Sequence, residues 1–171
     1  MPEVDLLVPS DLGLQLNYEE NGETFLENAV GKARHLYEKG GIATLAEDSG
    51  LVVPTLGGSP GVRSARYGGN ISQKQRNLLL INSLANETDR SAMFVCCITV
   101  ILAEYRLLIV QETVQGKIIT EPKGSGGFGY DPIFQSLGNE KTFAQLSEDN
   151  KNEISHRGRA LRRCQELLLQ S

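Results

Sequence analysis

No stretch of this chain approaches the roughly 20 consecutive apolar residues that a bilayer crossing requires, and the N-terminus has no basic segment leading into an apolar core. Those two absences remove the membrane and export readings and leave a cytoplasmic protein as the expectation. Cations are in short supply too: 17 Lys and Arg stand against 21 Asp and Glu, a formal charge of −4. Duplex nucleic acid demands many phosphate-neutralising cations, so it is an unsuitable partner, whereas a small phosphorylated ligand needs only a few local ones. Cysteine is sparse, with 3 in the chain. Cys96 and Cys97 are adjacent and match neither a disulfide framework nor a CxxC metal site, so all three cysteines read as buried thiols. What is present is ordinary for a globular chain: 40% hydrophobic and 22% charged residues over 171 positions. That length suits a single domain, built on one core or as two lobes about a cleft.

The hydrophobic pattern alternates strands with helices. Val4 to Val8 is apolar and closed by Pro9, which predicts a strand. Thr24 and Glu27 have capping-box spacing ahead of Phe25, Ala29, Ala33 and Leu36 or Tyr37 on one face, which predicts a helix ended by Gly40-Gly41. A second box, Ser72 with Gln75, opens a helix to about Ala85, with Leu78 and Ile81 (or Leu79 and Asn82) toward the core. Ala92–Ala103 and Leu107–Gln115 are rich in β-branched residues and separated by three residues, a long antiparallel hairpin that Gly116 to Glu121 prolongs. Residues 141 to 153 are polar and weakly helical, and Ser155 caps a final helix burying Ala160, Cys164 and Leu167 or Leu168. The expected fold is α/β, with a mixed central sheet and helices. His35, alone in mid-helix, reads as a surface residue.

The stretch from Leu45 to Gly69 draws the most attention. A short strand, Ile42 to Ala46, runs into two adjacent carboxylates, Glu47 and Asp48, and then into a glycine cluster of the kind that lets a ligand approach the backbone. Within it Gly57-Gly-Ser59-Pro-Gly61 satisfies GxSxG, with Asp131 and His156 in hydrolase order. Pro60 lacks the N–H that an oxyanion hole would take from that position, so the serine-hydrolase reading fails. Gly124 to Gly129 satisfies GxGxxG, yet Tyr130-Asp131-Pro132 blocks the helix a dinucleotide site needs. That loop still offers backbone N–H groups to an anion or a base edge, and Phe128 and Tyr130 either stack on a ring or anchor the loop. Lys151, Ser155, His156 and Arg157 gather at the start of the last helix, where phosphate is favoured. Glu19, Glu20 and Glu23 read as a solvated acidic loop near a helix start.

Taken together, Thr24-Phe-Leu-Glu-Asn-Ala29, Glu47-Asp-Ser-Gly-Leu51, Leu56-Gly-Gly-Ser-Pro-Gly-Val62 with Ser64-Ala-Arg-Tyr67, Gly126-Gly-Phe-Gly-Tyr-Asp-Pro132 and Ser155-His-Arg-Gly158 resemble the noncanonical purine nucleoside triphosphate pyrophosphatases, the inosine/xanthosine triphosphatase (Ham1-like) family. The blocks span roughly residues 4 to 168 in the family's order. The resemblance implies hydrolysis of ITP, dITP and XTP to the monophosphate and pyrophosphate, an elongated sheet with two lobes about a nucleotide cleft, Mg²⁺ as cofactor and a homodimer. It assigns Asp48 as general base and metal ligand, with Glu19 or Glu20 completing the metal site. Ser49, Arg66, Phe128, Gly129, Tyr130, Asp131, Lys151, His156 and Arg157 become substrate contacts. Mg²⁺ takes one or two carboxylates plus substrate oxygens and water, which suits phosphoanhydride hydrolysis. A 6-oxo purine pocket would leave adenine's amino group unpaired. Two departures stand out. Glu47 replaces the aspartate of many members, and the chain starts at what should be the family's second strand, without the phosphate-gripping [ST]-x-N-x-x-K turn. Reduced stability and a catalytically impaired nucleotide-binding remnant are therefore the alternative expectations.

Overall fold

A computed structural model of the chain describes residues 5–15 and 17–170. The capping boxes do what their spacing predicts. Thr24 Oγ1 accepts the Glu27 N–H at 3.1 Å while Glu27 Oε2 accepts the Thr24 N–H at 3.1 Å, opening α1 (Phe25–Gly40), which stops at Gly41 in the left-handed region with φ 66°. β1 (Thr44–Val52) follows, then a 3-10 turn (Gly61–Arg66) and α2 (Gln73–Ser83) behind the Ser72/Gln75 box. β2 (Ser91–Ala103) and β3 (Arg106–Ile118) form the long hairpin, and β4 (Phe134–Ser136) closes the sheet. α3 (Glu148–Ile154) and α4 (His156–Gln170) end the chain.

The sheet order is β1-β2-β3-β4, and all three pairings are antiparallel. Helices cover both its faces, which is the expected α/β class. The hairpin is long enough to serve two separate cores. At one end Phe94, Val114 and Ile118 pack with Leu51, Leu80, Phe134 and Phe143. At the other, Cys96, Ile98, Val100 and Val110 pack under Ala160 and Cys164 of α4. The three cysteines are free and buried. No helix among the described residues is long and apolar enough to cross a membrane.

Five local expectations are corrected. Residues 5–8 form no strand, and Leu6, Leu7 and Val8 are exposed with no partner strand among the described residues; Val4 lies outside them. β1 does not end before the carboxylates but carries both in its middle, paired with Ile98 and Cys97 of β2. α2 turns Leu80 and Leu84 to the core and leaves Leu78 and Leu79 exposed. The reason is Arg76, buried on the same face, which donates to the Tyr67, Gly69 and Ile71 carbonyls and so fixes the helix's rotation. His35 is half-buried against Tyr18, with ring centroids 5.8 Å apart. β3 also stops at Ile118, short of Glu121.

Candidate active site

Because side chains alternate along a strand, β1 sends neighbouring residues to opposite faces. Asp48 points to α1 and Glu47 and Ser49 to α4. On the α1 face, Asp48 Oδ2 accepts from Asn28 Nδ2 at 3.1 Å and Asp48 Oδ1 from Lys32 Nζ at 3.2 Å. The same ammonium reaches Glu20 Oε1 at 2.6 Å. One cation thus bridges two carboxylates. Burial pushes the Asp48 carboxyl above its ordinary range, against the downward pull of Lys32 and Asn28. Burial pulls the Lys32 ammonium down, but Glu20 and Asp48 outweigh it and the net shift is upward. A carboxylate raised in this way is a better base at neutral pH than a solvated one.

On the α4 face, Arg157 grips Glu47 with both ends of its guanidinium: Nη2 to Oε1 at 2.5 Å and Nε to Oε2 at 3.1 Å. Nη2 also donates to Ser49 Oγ at 3.3 Å. Glu47 is therefore committed to an arginine on the opposite side of the strand from Asp48. Phe128, 60% exposed, lies between two cations, with Lys151 Nζ 4.4 Å and the Arg157 guanidinium carbon 5.0 Å from its ring centre. Its loop is rigidly held. Asp131, buried, accepts from the Phe128 N–H at 2.7 Å and pairs with Lys151 Nζ at 2.5 Å. Asn77 Nδ2 donates to the Gly129 carbonyl at 3.1 Å. Gly127 is a necessary glycine, since φ is +69° and a Cβ would collide with the Asp131 carboxylate. Phe128 and Tyr130 divide the two roles that spacing left open. Tyr130 is buried and its hydroxyl donates to the Ser64 carbonyl at 2.9 Å, so its ring anchors the loop while Phe128 stays available.

His156 completes this side. Its ring stacks on Phe94 at 4.6 Å and 5°, and its Nδ1 is buried with no hydrogen-bond partner. Burial, with Arg157 and Lys151 nearby, pulls its pKa from 6.5 down to about 3. It is neutral throughout the physiological range. The unfolded chain binds a proton below pH 6.5 that the native state refuses, so this contribution is full above 6.5 and lost as pH falls toward 3. Urea unfolding is expected to show stability dropping by up to ~1.4 kcal/mol per pH unit in that window. His156→Asn should flatten the drop.

The hydrolase-like triplet is not assembled. Asp131 is taken by Lys151, His156 Nδ1 is unpaired, and a 3-10 turn rather than an α-helix follows Pro60. Arg66 Nη2 donates to the Glu20 carbonyl at 2.9 Å, tying the Gly61–Arg66 turn to the acidic loop. Of the three candidate acids, Glu20 is joined to Asp48 through Lys32, Glu47 faces Arg157, and Glu19 is exposed. No group of three or more His, Cys, Asp or Glu side chains able to hold a metal occurs among the described residues. Two carboxylates converging on one cation position nevertheless suit Mg²⁺ that arrives with phosphate oxygens, because that ion ordinarily takes few protein ligands. Lys32 and Asn28 were not singled out from sequence. Their signal was helical spacing: at i and i+4 on α1 they share the face that meets β1. A concavity of about 410 Å³ between β3, the turn after β4 and α4 contains none of the predicted residues.

A flat, exposed ring flanked by cations, a buried neutral histidine and a carboxylate–ammonium–carboxylate group across one strand define a site for a ligand that is part aromatic and part anionic. The comparisons agree with that class. The model of the Ham1 family matches residues 3–167, and this chain belongs to the Ham1 family. It is 47% identical over 165 residues to the dITP/XTP pyrophosphatase of Treponema denticola, covering 94% of this chain and 85% of that protein. The Bacillus licheniformis dITP/XTP pyrophosphatase is 43% identical, with 94% and 84% covered. The solved structure of a HAM1 protein from Coxiella burnetii superposes with TM-score 0.90 at 40% identity, covering 95% of this chain and 85% of that one.

Proposed function

We propose that this chain hydrolyses dITP, ITP and XTP to the purine nucleoside monophosphate and pyrophosphate, clearing noncanonical purines from the nucleotide pool. The observation that carries this reading is the division of the site by β1: a stacking ring with Arg157, Lys151 and His156 on one side, and Asp48, Lys32 and Glu20 on the other. A nucleoside triphosphate has that same polarity, with a flat base at one end and charge at the other. Its α-phosphorus would lie across the strand, beside Asp48 and Ser49.

Asp48 takes a proton from water as the water oxygen adds to the α-phosphorus, and the bond from that phosphorus to the bridging oxygen of the β-phosphate breaks. Pyrophosphate carries away the bond's electrons. Lys32 keeps Asp48 ionised and oriented, and Asn28 holds the second carboxylate oxygen. Mg²⁺, held by Asp48 and Glu20, would screen the polyphosphate charge when bound. The base stacks on Phe128, and His156 Nδ1 offers a neutral partner to its edge; as a donor it pairs with a 6-oxo oxygen and not with adenine's amino group. Mg²⁺ as the ion, a cytoplasmic setting and a homodimer are carried with this reading from the resemblance.

The test is pyrophosphate release from dITP, XTP and dATP, with Mg²⁺ and with chelator. Release from dITP and XTP alone, abolished by chelation, is the expected result; binding without release would make the chain a nucleotide-binding remnant. Phe128→Ala should raise KM for dITP about tenfold with kcat little changed, since stacking on a base contributes ~1–3 kcal/mol. Steady-state kinetics checks it, and an unchanged KM would remove the ring from the site.

A further inference from the structure

Arg63 and Arg66 both belong to the turn Gly61–Arg66, which kinks at Arg63, where φ is −95° and ψ 15°. Both line a cavity of about 350 Å³ whose facing wall is the acidic loop from Glu20 to Glu23. The turn is firmly seated. Ser64 Oγ accepts the Leu51 N–H at 2.8 Å and donates to the Gly61 carbonyl at 2.7 Å, and Tyr130 donates to the Ser64 carbonyl. Gly50 is needed for this approach: a Cβ there would lie 2.5 Å from Ser64 Oγ and 2.6 Å from the Gly61 carbonyl. The two guanidinium groups are employed differently. Arg66 is bound to the Glu20 carbonyl, whereas the Arg63 side chain is exposed and its guanidinium has neither a hydrogen bond nor an ion pair among the described residues, although Glu20 and Glu23 line the same cavity.

The cavity is continuous with the chemistry already described. Glu20 belongs to its wall and also to the Glu20–Lys32–Asp48 group. Its walls carry both signs, arginines opposite carboxylates. A bare anion would be repelled by half of such a site. A polyphosphate that brings a divalent cation with it meets each wall with the complementary charge, and a planar guanidinium suits two phosphate oxygens at once.

We propose that Arg63 is a further substrate-binding residue, which together with Arg66 holds the terminal phosphates of the nucleotide, the part that departs as pyrophosphate. This rests on the nucleotide pyrophosphatase reading. It makes the cavity a subsite for metal-complexed pyrophosphate, separate from the one that holds the base.

The whole chain is titrated calorimetrically with magnesium pyrophosphate and, separately, with IMP, as parent, Arg63→Gln and Arg63→Lys. Arg63→Gln is expected to weaken pyrophosphate binding about tenfold, the scale of one charge-assisted pair. Arg63→Lys should recover part of that loss, IMP affinity should stay the same in all three, and thermal melts should coincide because the side chain is exposed. Unchanged pyrophosphate affinity in Arg63→Gln overturns the proposal. So does a parent that takes up IMP but no pyrophosphate, which leaves base recognition intact. A parent that binds pyrophosphate through Arg63 but takes up neither IMP nor dITP keeps the subsite and overturns the nucleotide reading instead.

Discussion

Asp48→Asn is expected to lower pyrophosphate release from dITP by about a thousandfold, within the range that a positioned general base supplies, while the melting temperature at pH 7 holds or rises. The second half follows from the sign of the pKa shift. Burial raises the Asp48 carboxyl above its ordinary 3.8. The native state therefore holds that proton to higher pH than the unfolded chain does, and the associated stability is present below 3.8 and lost as pH rises through the native value. At neutral pH the ionised carboxylate is a liability to the fold that its chemistry requires. Asparagine removes the charge, keeps a partner for Asn28, and leaves Lys32 paired with Glu20 at 2.6 Å. Release assays and a thermal melt on the same preparation check both halves. A rate within tenfold of the parent would exclude Asp48 as the base, and a markedly lower melting temperature would make it a structural residue.

Lys32→Met is expected to reduce kcat/KM for dITP by about a hundredfold or more, comparable to removing one preorganised electrostatic group from an active site. Without the ammonium, two carboxylates share a partly buried space with no cation between them. Asp48 must then hold its proton still more tightly, so the acidic limb of the pH–rate profile should move to higher pH. Lys32→Arg should restore part of the rate and most of the profile. A Lys32→Met profile superimposable on the parent's would show that the lysine does not tune Asp48, whatever happens to the rate.

Much of the fold was legible because local signals agreed with one another. Both Ser/Thr boxes opened their helices, and the hairpin turns at Glu104-Tyr105, inside the expected three-residue interruption, with Arg106 already paired to Ala103. The errors lay where a residue's role is set by something distant in sequence. Periodicity alone put Leu78 inward, but the buried Arg76, tied to three carbonyls of the preceding turn, decided the rotation of α2. The apolar run ending at Val8 looked like a strand, yet residues 5–8 have no partner strand among the described residues. Asp48 and Glu47, adjacent in sequence, face opposite sides of the sheet, a separation that becomes visible only once β1 is known to continue through them. Lys32 was passed over because a lysine in the middle of an amphipathic helix is ordinarily solvated. Only the packing of α1 on β1 gives it two carboxylates.

β1 also bears on turnover. In the proposed reading it separates the grip on the base from the grip on the phosphates, and the intact nucleotide is a bivalent ligand that straddles it. Each end then binds at the high effective concentration set by its tether to the other. Cutting the bond between the α- and β-phosphates severs that tether. Two monovalent fragments remain, each on its own side of the strand with only its own weak affinity, so the reaction itself dissolves the avidity that held the substrate.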